Sequence, residues 1–305
     1  MDKENKNQEQ NTRKTIIIFG ITSFLGSNLA EFLSKDYQIV GTYHKKKVQI
    51  PGILSVPCNV IQKDEVQLII YTFKPDIVIY AAGMNSLLEC SEMPEKSEAV
   101  NTNGLFNVAE CGQRVHAQIV CFSSQYVFSG EDRSYMEMDI PDPDTVYGKN
   151  QSSAEFYIQK TSLNYLIFRC CKLYGRGILP SRENVFEILQ RKYGEGEPLQ
   201  LDNTVKTGFL DVAYLGTILK VCLEKKVANR LFQVSSSDIK THYEMGKDYS
   251  KVFGENEKLL SRSHWVYPHE GGQKSADREL YFHLDTSNIE GFLNVEMPTV
   301  EESLE

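Results

Sequence analysis

Two hydroxyl-bearing residues raise the first chemical question. Ser124 closes the apolar run AQIVCFSS, and Tyr147 follows it by 23 residues, near the start of DTVYGKNQSSAEFYIQKT. The first segment reads as a buried strand and the second as a helix. A hydroxyl at a strand end and a phenol at the head of the following helix can converge on one carbonyl oxygen. Singly each is ordinary, because serines end strands and tyrosines pack helices. The pair has meaning only in a fold that brings the two together.

A second constellation lies near the N-terminus. In FGITSFLGSNLAEF, Gly20 and Gly26 frame the passage from the apolar run TIIIF into helical spacing. Glycines there let the chain turn sharply and let the helix N-terminus meet a pyrophosphate. The usual dinucleotide pattern has a third glycine between them, and here that place holds Ser23. A serine can still approach the phosphates with its hydroxyl if the backbone tolerates a Cβ. A plain strand–helix turn with two glycines would read the same way.

The next strand ends in GTYHKKK, Gly41 to Lys47. An NAD site wants an Asp or Glu there for the ribose 2′-hydroxyl. His44, Lys45, Lys46 and Lys47 offer cations instead, suited to a 2′-phosphate through charge-assisted hydrogen bonds. A solvated charge run is the competing reading, but this one falls where the adenine ribose must lie, and it points to NADP(H). In YAAG, the small residues Ala81, Ala82 and Gly83 would let a flat cofactor lie against the backbone. Asn101, in EAVNTNG, reads as a surface or helix–helix polar contact.

These pieces need a scaffold, and the hydrophobic pattern supplies one. TIIIFG, YQIVGTY, a weak run near Ile53–Val56, PDIVIYAAG, AQIVCFSS and LNYLIFRCCKLYG read as strands. Segments with helical spacing separate them, among them SNLAEFLSKD, EVQLIIYTF and EKSEAVNTNGLFNVAECGQR. Short β-branched runs without polar alternation are strands buried on both faces. Strand and helix in regular alternation predict an α/β fold, a doubly wound parallel Rossmann-type sheet with helices on both faces. After Gly175 the rhythm loosens. The expected organisation is a disordered tail over 1–14, a dinucleotide-binding domain over 15–175 and about 205–235, and a smaller substrate lobe over about 176–204 and 236–305. A cleft between lobes is where a substrate would go.

Composition narrows the partners. The 305 residues are 41% hydrophobic and 24% charged, as in an ordinary soluble domain, and the net charge is −8. That sign argues against nucleic acid or an anionic membrane surface as the main partner. Seven scattered cysteines without CxxC spacing argue against a metal site and for reduced thiols in a cytoplasmic protein.

Together GITSFLG, KPDIVIYAAG, EAVNTNG, FSSQYVFSG, YMEMDIPDPDTVYGKN, FRCCKLYG, TGFLDVA and the C-terminal LDTSNIEGFLNVEMPTVEESL carry a family resemblance. The chain resembles the extended short-chain dehydrogenase/reductases. Within them it is most similar to the branch containing dTDP-4-dehydrorhamnose reductase and the regulatory β subunit of methionine adenosyltransferase. The resemblance implies that Ser124 holds a substrate carbonyl and Tyr147 donates a proton. It implies that Ser23, Phe24 and Leu25 meet the pyrophosphate and that Ala81, Ala82 and Gly83 flank the nicotinamide ribose. Asn59, beside Val60, takes the place of an Asp that binds adenine. Gln125 and Lys172 fall near substrate-contacting positions. Lys172, Arg176 and the segment Arg182 to Val205 are expected to face the cleft, their cations meeting a nucleoside diphosphate. The implied partners are a nucleotide sugar and a second copy in a homodimer.

One departure bears on chemistry. The family's YxxxK motif is here Tyr147-Gly-Lys-Asn-Gln151. Lys149 cannot stand in, since two residues along a helix points to another face. Gln151 can still hold ribose hydroxyls, but it brings no charge to favour a tyrosinate. A phenol titrates near pH ~10, and a nearby cation shifts such a group by roughly 1–3 units. Oxidation of an alcohol needs the tyrosinate; reduction of a ketone starts from the neutral phenol. Three readings therefore stand: an NADPH-dependent reductase of a 4-keto-6-deoxy sugar nucleotide, slowed by the missing lysine; a non-catalytic NADP-binding regulatory subunit; and a sugar-nucleotide epimerase or dehydratase.

Overall fold

The computed structural model describes residues 13–179, 182–264, 268–269, 272–273 and 279–305. Most of the expected tail and most of the polar loop HEGGQKSADREL lie outside the described residues.

Seven parallel strands form the central sheet. They are β1 (Thr15–Phe19), β2 (Gln38–Tyr43), β3 (Leu54–Pro57), β4 (Ile77–Tyr80), β5 (Gln118–Ser124), β6 (Tyr165–Cys170) and β7 (Arg230–Val234). Their spatial order is β3-β2-β1-β4-β5-β6-β7, with every neighbouring pair parallel. The chain starts in the middle, builds to one edge, then returns and builds to the other. The reversal lies between β1 and β4, the switch point where α/β sheets open a crevice beyond their strand ends. The sequence expectation of fold class is met.

The buried runs explain the layers. Ile16 and Ile18 face one side of the sheet and Ile17 and Phe19 the other, all fully buried. On the first side pack α1 (Phe24–Leu33) and α6 (Val212–Glu224) through Leu29, Leu33, Leu215 and Leu219. On the second side pack α2 (Lys63–Phe73), α3 (Leu105–Arg114) and α4 (Val146–Thr161) through Val66, Ile70, Val108 and Ile158. A further core joins α5 (Val185–Glu195) and α7 (His242–Phe253) through Leu189, Tyr193, Met245 and Tyr249. Beside it, Leu199–Asp202 and Leu260–Ser263 form their own parallel pair. Among the described residues no helix is long and apolar enough to cross a membrane.

One strand differs from expectation. LNYLIFRCCKLYG reads as a single strand, but it breaks after Cys170. The Cys171 N–H donates to the Val234 carbonyl at 3.1 Å, and the next N–H, of Lys172, donates to Gly208 at 3.1 Å. The chain changes partner there, so Lys172–Tyr174 pairs with Phe209–Asp211 outside the main sheet. This places Lys172 beyond the sheet's end.

Candidate active site

The turn after β1 depends on its two glycines. Gly20 has φ +90°, and a Cβ on it would lie 2.4 Å from the Ala82 nitrogen. A Cβ on Gly26 would lie 2.3 Å from the Gly20 carbonyl oxygen. Ser23 needs no such freedom, since its backbone is extended at φ −73° and ψ 158°. Its hydroxyl donates to the Gly20 carbonyl at 2.8 Å and accepts from the Gly26 N–H at 2.9 Å. Sequence reasoning gave that hydroxyl to a phosphate; here it caps α1. The first-turn N–H groups of a helix have no intrahelical acceptors, so those at Phe24 and Leu25 remain for an anion.

A cavity of about 420 Å³ opens over this turn. Ser23, Phe24 and Leu25 line it, as do Ala81, Ala82 and Gly83, then Ser124, Gln125, Tyr147 and Gln151, and finally Lys172 and Arg182. Of the expected site residues, His44, Lys45 and Lys46 are exposed just past β2 and do not line it. Asn59 and Val60 also lie outside its lining. The Asn59 side-chain oxygen accepts from the Ile61 N–H at 3.4 Å, and the Val60 carbonyl accepts from Asn107 at 3.0 Å. Arg176 is exposed and lines no described cavity; Arg182 stands beside Lys172 instead.

Asn101 is more than the bland contact its sequence suggests. It is buried, lines the cavity, and sits in a π-helical turn, Ala99–Gly104. Its side-chain oxygen accepts from the Met84 N–H at 2.8 Å and its amide donates to the Met84 carbonyl at 2.9 Å. That two-way clamp fixes the loop after β4. The adjoining Gly83 leaves room for it, since a Cβ there would come within 2.9 Å of the Asn101 oxygen. Single-turn π bulges gather at functional sites. Only the fold reveals this one, because π pairing has no periodic signature.

Tyr147 and Ser124 do converge. Thr145 caps α4 by accepting from the Gly148 N–H at 3.0 Å, which sets Tyr147 at the helix's second position. Gly148 lets the helix meet the turn after β5: a Cβ on it would fall 1.9 Å from the Tyr126 carbonyl oxygen. Burial pushes the Tyr147 phenol well above its ordinary range; Cys90, Cys170 and Tyr126 add to that, and the nearby Ser124 hydroxyl pulls back. No cation figures among these influences. Gln151, one turn on, lines the same cavity, while Lys149 is exposed and outside it.

The next turn brings Glu155 to the cavity wall, where Arg169 holds it. Arg169 donates from Nε at 2.9 Å and Nη2 at 2.7 Å, and both side chains are 3% exposed. Gln125 is buried, its side-chain oxygen accepting from the Thr207 hydroxyl. The Lys172 ammonium lies 4.9 Å from the Tyr126 ring centroid, and that ring meets Tyr147 edge-on at 6.3 Å. Among the described residues no group of three His, Cys, Asp or Glu could hold a metal ion.

A sheet of this strand order, with a glycine turn at its switch point and a Ser–Tyr pair lining the crevice, defines a Rossmann-like α/β protein. The chain belongs to the RmlD substrate binding domain family, whose model matches residues 14–305. Over 283 residues it is 23% identical to "Methionine adenosyltransferase 2 subunit beta" of Bos taurus, covering 91% of this chain and 82% of that protein. Over 294 residues it is 26% identical to "Probable low-salt glycan biosynthesis reductase Agl14" of Haloferax volcanii, covering 94% and 95%. It also superimposes on the crystal structure of dTDP-4-dehydrorhamnose reductase from Bacillus anthracis in complex with NADP. The TM-score there is 0.79 at 22% identity, over 96% of each chain.

Proposed function

We propose that this protein is an NADPH-dependent reductase of a 4-keto-6-deoxy sugar carried on a nucleoside diphosphate. The observation that carries the reading is the Ser124–Tyr147 pair, brought together on the wall of a 420 Å³ cavity that also takes in the α1 N-terminus. The residues fit the cofactor. Small side chains at Ala81, Ala82 and Gly83 leave room for its nicotinamide ribose, and the α1 N-terminus suits its pyrophosphate. His44, Lys45 and Lys46 suit a 2′-phosphate, and Gln151 suits ribose hydroxyls. When bound, the nicotinamide supplies a hydride. Ser124 holds the substrate's keto oxygen by hydrogen bonding, and Tyr147 gives that oxygen its phenolic proton as charge develops on it. Burial keeps Tyr147 neutral, and neutral is the form a reduction consumes. The dinucleotide-binding domain takes residues 15–175 and about 205–235, the substrate lobe about 176–204 and 236–305, with the protein at work in the cytoplasm.

A second reading has one observation of its own. With Gln151 in the motif and no cation among the main influences on Tyr147, the site lacks the lysine charge that favours a tyrosinate, as in a cofactor-binding subunit that performs no chemistry. The bovine relative carries the name of a β subunit. An epimerase or dehydratase has less support, since both begin by oxidising the sugar and need that tyrosinate.

Incubation with deuterated NADPH and 4-keto-6-deoxy sugar nucleotides separates these readings. The reductase leaves deuterium on the former keto carbon, and NADPH binds at least about tenfold tighter than NADH, about 1.4 kcal/mol. Tight NADPH binding without deuterium transfer to any keto sugar would favour the non-catalytic subunit.

A further inference from the structure

A second cavity, of about 380 Å³, adjoins the first and shares Lys172 and Arg182 with it. Three more titratable side chains line it. Asp202 comes from the strand Leu199–Asp202, His264 follows Leu260–Ser263, and His242 opens helix α7. Asp202 is already engaged: its carboxylate accepts from the Thr204 N–H at 3.1 Å, the Thr204 hydroxyl and the Val205 N–H at 3.0 Å. The cavity thus gathers two full positive charges around an acid already occupied by its own turn. The same lining holds an imidazole, His242, with no part in the chemistry at Tyr147.

His242 is fixed but incompletely used. Its ring meets Phe209 edge-on at 5.0 Å and 87°, and Nδ1 is buried without a hydrogen-bond partner among the described residues. We propose that His242 is a specificity-determining residue of this second cavity, its ring hydrogen-bonding a phosphate-class anion held by Lys172 and Arg182. This rests on the reading that the substrate is a nucleoside diphosphate ester, and it adds the residue that senses that charge.

The electrostatics give the contact a signature. Burial, reinforced by the positive charge of Lys172 and opposed by Asp202, lowers His242 to about 4, so with only these neighbours the imidazole is neutral. An anion seated on Lys172 offsets that cation's field and brings an opposite charge to the ring. An opposite charge close by raises such a pKa by roughly 1–3 units, back towards the ordinary ~6.5. His242 therefore takes up a proton as the anion binds. The sign follows: affinity is greatest at low pH and falls as pH rises through the raised, ligand-bound value.

Calorimetric titrations of wild type and His242→Gln test this, with dTDP-glucose and inorganic pyrophosphate as probes. dTDP-glucose is a diphosphate diester whose phosphate charges stay constant over the range used. Wild type should bind it about tenfold tighter near pH ~5.5 than near pH ~7.5, with net proton uptake. His242→Gln should bind it equally at both while keeping wild-type affinity for NADPH, which reports an intact fold. A wild type without pH dependence, or a pH dependence that survives in His242→Gln, overturns the role of His242 and leaves the nucleotide-sugar reading standing. If only pyrophosphate binds, and more weakly to His242→Gln near pH ~5.5, His242 keeps its role and the sugar-nucleotide reading falls. Failure of both probes to bind overturns the proposal.

Discussion

Gln151 lies one helical turn beyond Tyr147, and at that distance a lysine would act on the phenol. Burial already raises the Tyr147 pKa, and no cation is among the main influences on it. A phenol raised above its ordinary ~10 stays protonated through the neutral range and beyond. Reduction, which starts from the proton-bearing form, should show no tyrosine-linked rise between about pH 6 and 9. The reverse oxidation should climb about tenfold per pH unit as the tyrosinate fraction grows. Gln151→Lys should lower the tyrosine pKa by roughly 1–3 units and raise turnover in both directions, oxidation more. Rate profiles of the two forms would check this; a flat oxidation profile would count against Tyr147 as the titrating group. That Ser124, Tyr147 and Gln151 line one cavity was legible in the sequence, since their strand and helix positions follow from local pattern and their grouping from the family motif. Asn101 and His242 were not, since their roles depend on contacts with Met84, Lys172 and Phe209 made only in the folded chain.

Helix α4 carries the site along one face: Tyr147, Gln151 and Glu155 are spaced by four residues and all line the cavity. The Glu155–Arg169 pair ties that face to β6, and the Arg169 guanidinium also donates to the Glu137 carbonyl and lies 5.1 Å from the Phe128 ring centroid. Glu155→Gln leaves Arg169 buried without its counter-charge, and such a loss costs about 3–5 kcal/mol. Urea unfolding should show that loss, whereas replacing both partners by apolar residues of similar volume should cost far less. A Glu155→Gln protein as stable as wild type would deny the pair this part. Strands β1 to β6 and the helices between them were visible as short apolar runs and 3.6-residue spacing. The break at Cys171 was not, because hydrogen bonding to β7 and then to Gly208 is a tertiary choice that an unbroken apolar run conceals.

Over the whole molecule, the fold joins two cavities through two cations. The sheet's switch point supplies the turn at Gly20–Gly26, the sheet ends supply Ser124, and the core built on α5 and α7 supplies the second cavity's far wall. That plan was partly legible, since alternation announced the sheet and the looser rhythm after Gly175 announced a second set of elements. The second cavity was not, because His242, Asp202 and Lys172 lie far apart in sequence. The reductase reading requires that Tyr147 deliver a proton to a ketone, and single-turnover kinetics address that directly. The protein saturated with NADPH is mixed rapidly with a 4-keto-6-deoxy sugar nucleotide, and the loss of nicotinamide absorbance is followed in wild type and Tyr147→Phe. The account predicts a measurable single turnover in wild type and a loss of at least about a hundredfold in Tyr147→Phe, the lower end of what a general acid contributes. Equal rates in the two proteins would contradict it.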